Sequence, residues 1–286
     1  MRAIAIVARY ALQESLRRRV FVVVLVLTAG FLVLFGIGVD QTMQEIDGRF
    51  AGDAFRLEDR RLLAGATLVG LAMFATLFLG TVLAIFLTLG AVRGDADRGL
   101  LQPIVVRPVG RAALLGGRFV SAASVTSLYV GAVYAISVTI TGTITGWWPD
   151  RPVTPALALA GAVAILAALS LLGSIQLSTT ANGIAVFMVF GSGLVAGVLG
   201  QIGEALPSAT LQDSARIAAW VLPFEALYQA GLAELTAGVT GAAGVLVELG
   251  PFGGAESGGA TLVGWAVAFL VLVGFSAVML FRRRDL

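Results

Sequence analysis

Six stretches without a single charged residue divide the 286-residue chain, at 20–39, 62–92, 119–146, 153–180, 181–203 and 257–281. A helix rising 1.5 Å per residue needs about 20 apolar residues to cross a hydrocarbon core roughly 30 Å thick. Inside that core every backbone N–H and C=O must find its partner within the protein, which leaves helices or closed barrels. The stretches therefore predict an all-α integral membrane protein with six transmembrane helices. Composition agrees, since 58% of residues are apolar and only 13% charged, where soluble domains carry about 25%. The fourth and fifth stretches abut, so Gln176, Ser178, Thr179, Thr180, Asn182 and Gly183 must supply the turn between them. The first follows 19 residues and has no A-x-A site before its end, which makes it an expected span rather than a cleaved signal.

What the chain lacks excludes whole classes of chemistry. All 19 basic residues are Arg, and Lys, His and Cys are absent. A phosphate-binding loop of the G-x-x-x-x-G-K-[ST] type needs its Lys. A Ser-His dyad, a thiol nucleophile and the usual zinc or copper ligands are equally excluded. The aspartyl type of intramembrane protease fares little better, because Gly36-Ile-Gly38-Val39-Asp40 misses its G-x-G-D sequence by one residue. Nothing in the chain marks it for nucleic acid, and membrane lipid is the surrounding its faces require.

Orientation follows from Arg placement, since short cytoplasmic loops collect basic residues. With both termini cytoplasmic, the inside carries 13 of the 19 Arg against four of the 17 acidic residues. Abundant Ala, Gly and Val with an Arg-only basic set point to GC-rich bacterial coding, hence a bacterial inner membrane. Residues 1–19 read as an interfacial helix with Ile4, Val7, Ala8, Ala11 and Leu12 on one side, or as a basic topogenic tail. Residues 40–61 read as an acidic external loop. The longest external segment, 204–256, predicts an amphipathic helix begun by Pro223, with Phe224, Leu227, Tyr228, Gly231, Leu232 and Leu235 on one face and Glu225, Gln229 and Glu234 elsewhere. A glycine-rich return to the last span follows it.

No charged residue falls within a span, whereas ion-coupled carriers place ionisable groups at membrane depth. A coupled secondary transporter is therefore not expected. Ser127, Tyr134, Ser137, Thr141 and Thr145 form one stripe on the third span, open to packing or to lining a path. In the fifth span Gly191, Gly193, Gly197 and Gly200 include a G-x-x-x-G pair that permits close approach, either within the subunit or at a dimer seam. The cytoplasmic segment 93–118 holds a short polar helix candidate from Asp95 to Gln102, ended by Pro103.

That segment resembles the signature of type 2 ABC transporter permeases, which commonly read acidic, x, x, Gly-Thr-Leu, then Pro-Val-Ser-Arg, then Leu-Leu-Gly-Lys-Phe. Here the corresponding residues are Asp97-Arg-Gly-Leu-Leu101, Arg107-Pro-Val-Gly-Arg111 and Leu114-Leu-Gly-Gly-Arg-Phe119, with Leu100, Gly110 and Arg118 in place of Thr, Ser and Lys. The segment Leu222-Pro-Phe-Glu-Ala-Leu-Tyr228 is similar to the family's Asn-Pro-x-Asp/Glu-x-Tyr/Phe, and the resemblance extends over most of the chain. Its length and layout are most similar to the subgroup that supports nitrous-oxide-reductase maturation. The resemblance implies that residues 1–286 form one permease domain, paired with itself or a sister subunit. It also implies two separate cytoplasmic ATPases that bind ATP and Mg, with no cofactor in this chain, no catalysis by it, and export as the expected direction. Carried over by position, the family's coupling helix corresponds to Asp95, Asp97, Arg98 and Gln102, with Arg107 and Arg111 behind them. It would also place Gly191, Gly193, Gly197 and Gly200 at the subunit interface or the path. The alternatives are an ATPase-independent carrier or channel, or a mechanotransmitting subunit acting on an external partner protein through 204–256.

The orientation is checked by single cysteines, for which the chain offers a clean background. Phe50→Cys and Ala255→Cys should react with impermeant thiol reagents on intact cells, whereas Asp97→Cys and Asp285→Cys should not. Labelling at position 97 from outside inverts the topology.

Overall fold

Hydrocarbon offers a peptide group no partner outside its own segment, so the apolar runs coil. The computed structural model describes residues 19–50, 54–89, 110–206, 208–239 and 258–283. Five helices come first: α1 (Arg19–Phe50), α2 (Ala54–Thr88), α3 (Arg111–Thr145), α4 (Val153–Gln176) and α5 (Thr179–Ala205). Two shorter helices, α6 (Ala209–Val221) and α7 (Pro223–Thr236), precede α8 (Gly259–Arg282). Helices α1 to α5 and α8 are each long and apolar enough to cross a membrane, which makes the chain a multi-pass membrane protein.

Several helices outrun the apolar stretches that signal them. Helix α1 continues past Val39 to Phe50 and α2 begins at Ala54 rather than Leu62, so the expected loop at 40–61 is largely the two arms of a helical hairpin. Arg61 ties those arms by donating to both carboxylate oxygens of Asp47, each at 2.7 Å. Helix α3 likewise starts at Arg111, so the end of the 93–118 segment is helical. The physical reason is plain: a charge-free run marks where hydrocarbon lies, whereas the i to i−4 ladder continues into water wherever the sequence tolerates it. The interfacial helix expected at 1–19, Arg19 apart, lies outside the described residues, and so does most of the cytoplasmic segment.

Two apolar clusters establish which helix ends lie together. Leu114 and Leu115 of α3, Leu171 and Ile175 of α4, and Ala277 and Phe281 of α8 pack as one group. At the opposite end Ala66 and Val239 pack with Leu62, Leu63 and Trp147, and Arg151 donates to Glu234 at 2.9 Å. The beginning of α3, the α4–α5 turn and the end of α8 thus share one end of the bundle.

Helices α2, α3 and α4 form the centre, with 61%, 44% and 50% of their apolar windows buried, against 17% for α1, α5 and α8. Gly80 of α2 lets the three meet, because a methyl there would press on Val130 of α3 and lie 2.9 Å from Val163 of α4. The outer helices keep large apolar side chains exposed, among them Leu34, Met188 and Val271, the surface that lipid covers in a membrane. On the hydroxyl stripe Tyr134, Ser137, Thr141 and Thr145 are buried. Ser137 donates to its own helix at Val133 and Ser127 to Ala160 of α4, while the Tyr134 and Thr141 hydroxyls are buried without a hydrogen-bond partner.

The α4–α5 turn is as tight as the abutting stretches require. Ser178 caps α5 by accepting from the Ala181 N–H, and the Leu177 N–H closes α4 on the Gly173 carbonyl. Beside it Asn182 donates to the Ser170 carbonyl at 2.9 Å, and Thr88 of α2 donates to the Ser170 hydroxyl at 2.6 Å. Three helices are pinned there by buried polar contacts.

Gly80→Ala should destabilise the protein by about 1–3 kcal/mol, the usual cost of overpacking, because both neighbouring valines are β-branched and stiff at χ1. Gly264→Ala, where a methyl meets nothing within 4 Å, should be close to neutral. Thermal unfolding in one detergent compares the two, and equal effects would overturn this view of the α2–α3–α4 junction.

Candidate functional site

The fifth span carries a seam of small residues, and the structure shows what fills it. A methyl at Gly193 would meet the Phe224 ring, one at Gly197 the Glu225 carboxylate, one at Gly200 the Ala215 side chain at 3.1 Å, and one at Gly203 the Gln212 backbone at 2.9 Å. Helices α6 and α7 therefore fold back along α5 as a hairpin, admitted because the facing positions lack Cβ atoms. Pro223 opens α7 at a position where a missing N–H costs nothing. Phe224 then stacks on Phe190 of α5 with ring centroids 6.1 Å apart. Of the four glycines singled out in the sequence, Gly193, Gly197 and Gly200 face this hairpin, while Gly191 has open space where a Cβ would stand. The G-x-x-x-G pair is thus occupied within the chain.

The hairpin carries a buried carboxylate against the fifth span. Gly197 lies eight residues from the end of α5, about 12 Å along the axis at 1.5 Å per residue, and Glu225 lies against it. Glu225 is 5% exposed. Its Oε1 accepts from Gln229 Nε2 at 2.8 Å, while Glu225 Oε2 and Gln229 Oε1 are both buried without a hydrogen-bond partner. Burial pushes the Glu225 carboxyl up to about 7, against a smaller lowering by the Gln229 bond. Burial, and the Glu225 charge next to it, hold the Tyr228 hydroxyl above its ordinary range. Glu225 lies on α7, outside the six apolar helices, so the six apolar stretches remain free of charge as the sequence reading has them.

Beside this carboxylate opens a cleft of about 410 Å³ between α5, the hairpin and the first turns of α8. Its walls are mostly small, with Ala196, Gly197, Gly200 and Ala219 among them, and Glu225 and Gln229 supply polar atoms. Trp220 of α6 and Trp265 of α8 close one side with centroids 5.5 Å apart, Trp265 being fixed by its indole N–H donating to the Trp220 carbonyl at 2.8 Å. Arg216 also lines the cleft, with an exposed side chain 3.8 Å from Asp213.

Chemically the arrangement sets apolar and aromatic surface beside a buried carboxylate and amide that each keep one oxygen unpartnered. Among the described residues no group of three or more acidic side chains is placed to hold a metal ion. Asp95, Asp97, Arg98, Gln102 and Arg107 lie outside the described residues, and Arg111 is placed only as the first residue of α3. The sequence reading missed α6 and assigned Glu225 to the wrong face of α7. A signal for the second was present, since Glu225, Tyr228 and Leu232 stand at i, i+3 and i+7, one helical face. Its charge alone argued for exposure. No protein-family model matches the chain, and no curated protein matches it.

The raised Glu225 carboxyl makes stability depend on pH in a definite direction. The folded state keeps a proton that the unfolded chain, at an ordinary value of 4.5, has already released. This contribution is complete below about pH 4.5 and is lost as pH rises through about 7. Unfolding free energy should fall by on the order of 1–3 kcal/mol between about pH 5 and pH 8, and Glu225→Gln should remove that part of the slope. Parallel pH profiles for the two proteins in thermal melts would show the carboxyl to be unperturbed.

Proposed function

We propose that the chain is the membrane-spanning permease subunit of an ATP-driven ABC transporter, an exporter that works as a dimer with itself or a sister subunit. The reading places it in a bacterial inner membrane with both termini in the cytoplasm. Separate ATPase chains bind ATP and Mg and do the hydrolysis, and this chain does no covalent chemistry. Nucleotide-driven closure of those ATPases pulls on the segment between α2 and α3, and the helices respond as rigid bodies that alternate access.

The observation that supports this reading most is the convergence at one end of the bundle. The start of α3, the α4–α5 turn and the end of α8 pack together there. The segment 90–109, which carries Asp95, Asp97, Arg98, Gln102 and Arg107, is anchored at that end through Arg111 and the first turn of α3. The described ends of the loop and of the carboxy-terminal helix, at Arg111 and at Arg282 and Arg283, share that end of the bundle, and basic residues collect on cytoplasmic faces. A docking partner at this face would contact the loop and the carboxy-terminal end together.

A second reading is favoured by one specific observation. Glu225, buried against α5 and unpartnered at Oε2, is the kind of group an ion-coupled carrier uses. Such a carrier needs no ATPase, and the two readings part on whether one co-purifies.

Charge reversal in the loop tests the main reading. Exposed ion pairs contribute about 0–1 kcal/mol, so on a solvated loop the double substitution Asp97→Arg with Arg98→Glu should be tolerated. At a docked interface, unpaired and like charges cost about 2–5 kcal/mol. Expression and membrane insertion should stay unchanged while ATPase co-purification and transport are lost. A fully active complex from the double variant would sink the coupling assignment.

A further inference from the structure

We propose that the cleft between α5, the α6–α7 hairpin and α8 is a binding site for an amphipathic organic amine, its ammonium held by Glu225 and Gln229 and its apolar body by the tryptophan pair and the small-residue walls. This inference requires nothing of an ATPase partner, and it holds or fails separately from the transport reading.

The polarity of the site selects the head group. Gln229 uses its amide N–H on Glu225 Oε1, which turns Gln229 Oε1 and Glu225 Oε2 into two buried oxygens without a donor. Buried acceptors left unpaired are costly, so the occupant that lowers the free energy most is one rich in donors. An ammonium offers three N–H donors and no acceptor, and its charge offsets that of the carboxylate. An anionic or purely accepting head would add oxygens to oxygens. A bare metal ion is poorly served, because Glu225 is the one carboxylate among the lining residues.

The rest of the cleft selects the body. Trp220 and Trp265 present ring faces and edges on one side, a surface that attracts cations as well as apolar groups. At Gly193, Gly197 and Gly200 the cleft is lined by small residues against which the hairpin packs. A volume of about 410 Å³ admits one aryl-alkyl amine of modest size. The charged and titratable groups around the head are Asp213 and Arg216 on α6 and Tyr228 on α7, with none on α8 before Arg282. Arg216 opposes a cation, yet its side chain is exposed and lies 3.8 Å from Asp213, whereas the Glu225 carboxylate is buried.

The test uses the full chain in lipid nanodiscs at about pH 8, above the value near 7 to which burial pushes Glu225. The probes are 4-phenylbutylamine, its alcohol analogue and its carboxylate analogue, titrated by intrinsic tryptophan fluorescence. We expect the amine to bind the wild-type protein at least tenfold more tightly than the alcohol, and the carboxylate to bind most weakly. Glu225→Gln should bring the amine to the level of the alcohol without altering the alcohol. Trp220→Leu should weaken the amine several-fold. Equal binding of amine and alcohol by the wild-type chain overturns the proposal and needs no variant, so it decides the matter even if Glu225→Gln fails to fold. Retention of the full amine preference by a folded Glu225→Gln overturns it as well.

Discussion

The peptide group's need for a hydrogen-bond partner, in a solvent that offers none, governs the molecule from end to end. It turns six apolar runs into helices and leaves side chains to decide how those helices meet. Because lipid is as apolar as leucine, burial alone gives the helices little reason to associate, and close approach must supply it. The glycines answer that need at distinct places. Gly80 draws α2, α3 and α4 together, and the series on α5 admits the hairpin. Polar contacts are few and local, as at Thr88, Ser170 and Asn182, where several helices share one buried group.

The hairpin is the departure from a plain six-helix bundle. It occupies a seam that small residues keep open, and it brings against that seam a buried carboxylate that no spanning segment contains. A charged residue on a span faces its insertion cost directly, whereas Glu225 arrives on a helix that packs on α4 and α5 with Phe224 and Leu227 around it. Its neighbours compensate it only in part, since one oxygen is bonded to Gln229 and the other is unpaired. A buried polar group left half satisfied is expensive to keep, which is why the cleft beside it reads as a place that receives something.

Much of the architecture was legible in the chain itself, because hydropathy reports hydrocarbon directly. Six spans, the tight turn at Ser178, and a helix opened by Pro223 all follow from residue type and spacing. Helix ends were not legible, since α1 and α2 continue into water where composition no longer distinguishes helix from loop. Helix α6 escaped notice because its mixture of Asp213, Arg216 and Ala resembles a solvated segment until α5 is seen beside it. Glu225 was misplaced because charge was allowed to outweigh periodicity, although its spacing with Tyr228 and Leu232 put it on the buried face. The coupling segment rests on resemblance alone, for its chemistry depends on a second chain.

The two-residue turn between α4 and α5 leaves no slack for either helix to slide past the other. With Asn182 bonded to Ser170, the start of α5 is hinged rather than tethered. From Thr179 to Gly197 the lever measures about 27 Å, so a tilt of roughly 5° at the turn displaces the glycine seam by about 2 Å. A movement too small to disturb the packed core would thus shift the seam, with the hairpin packed on it, by more than the radius of a water molecule, and the turn would act as a fulcrum that converts a small rotation at one end of the bundle into a displacement near the other.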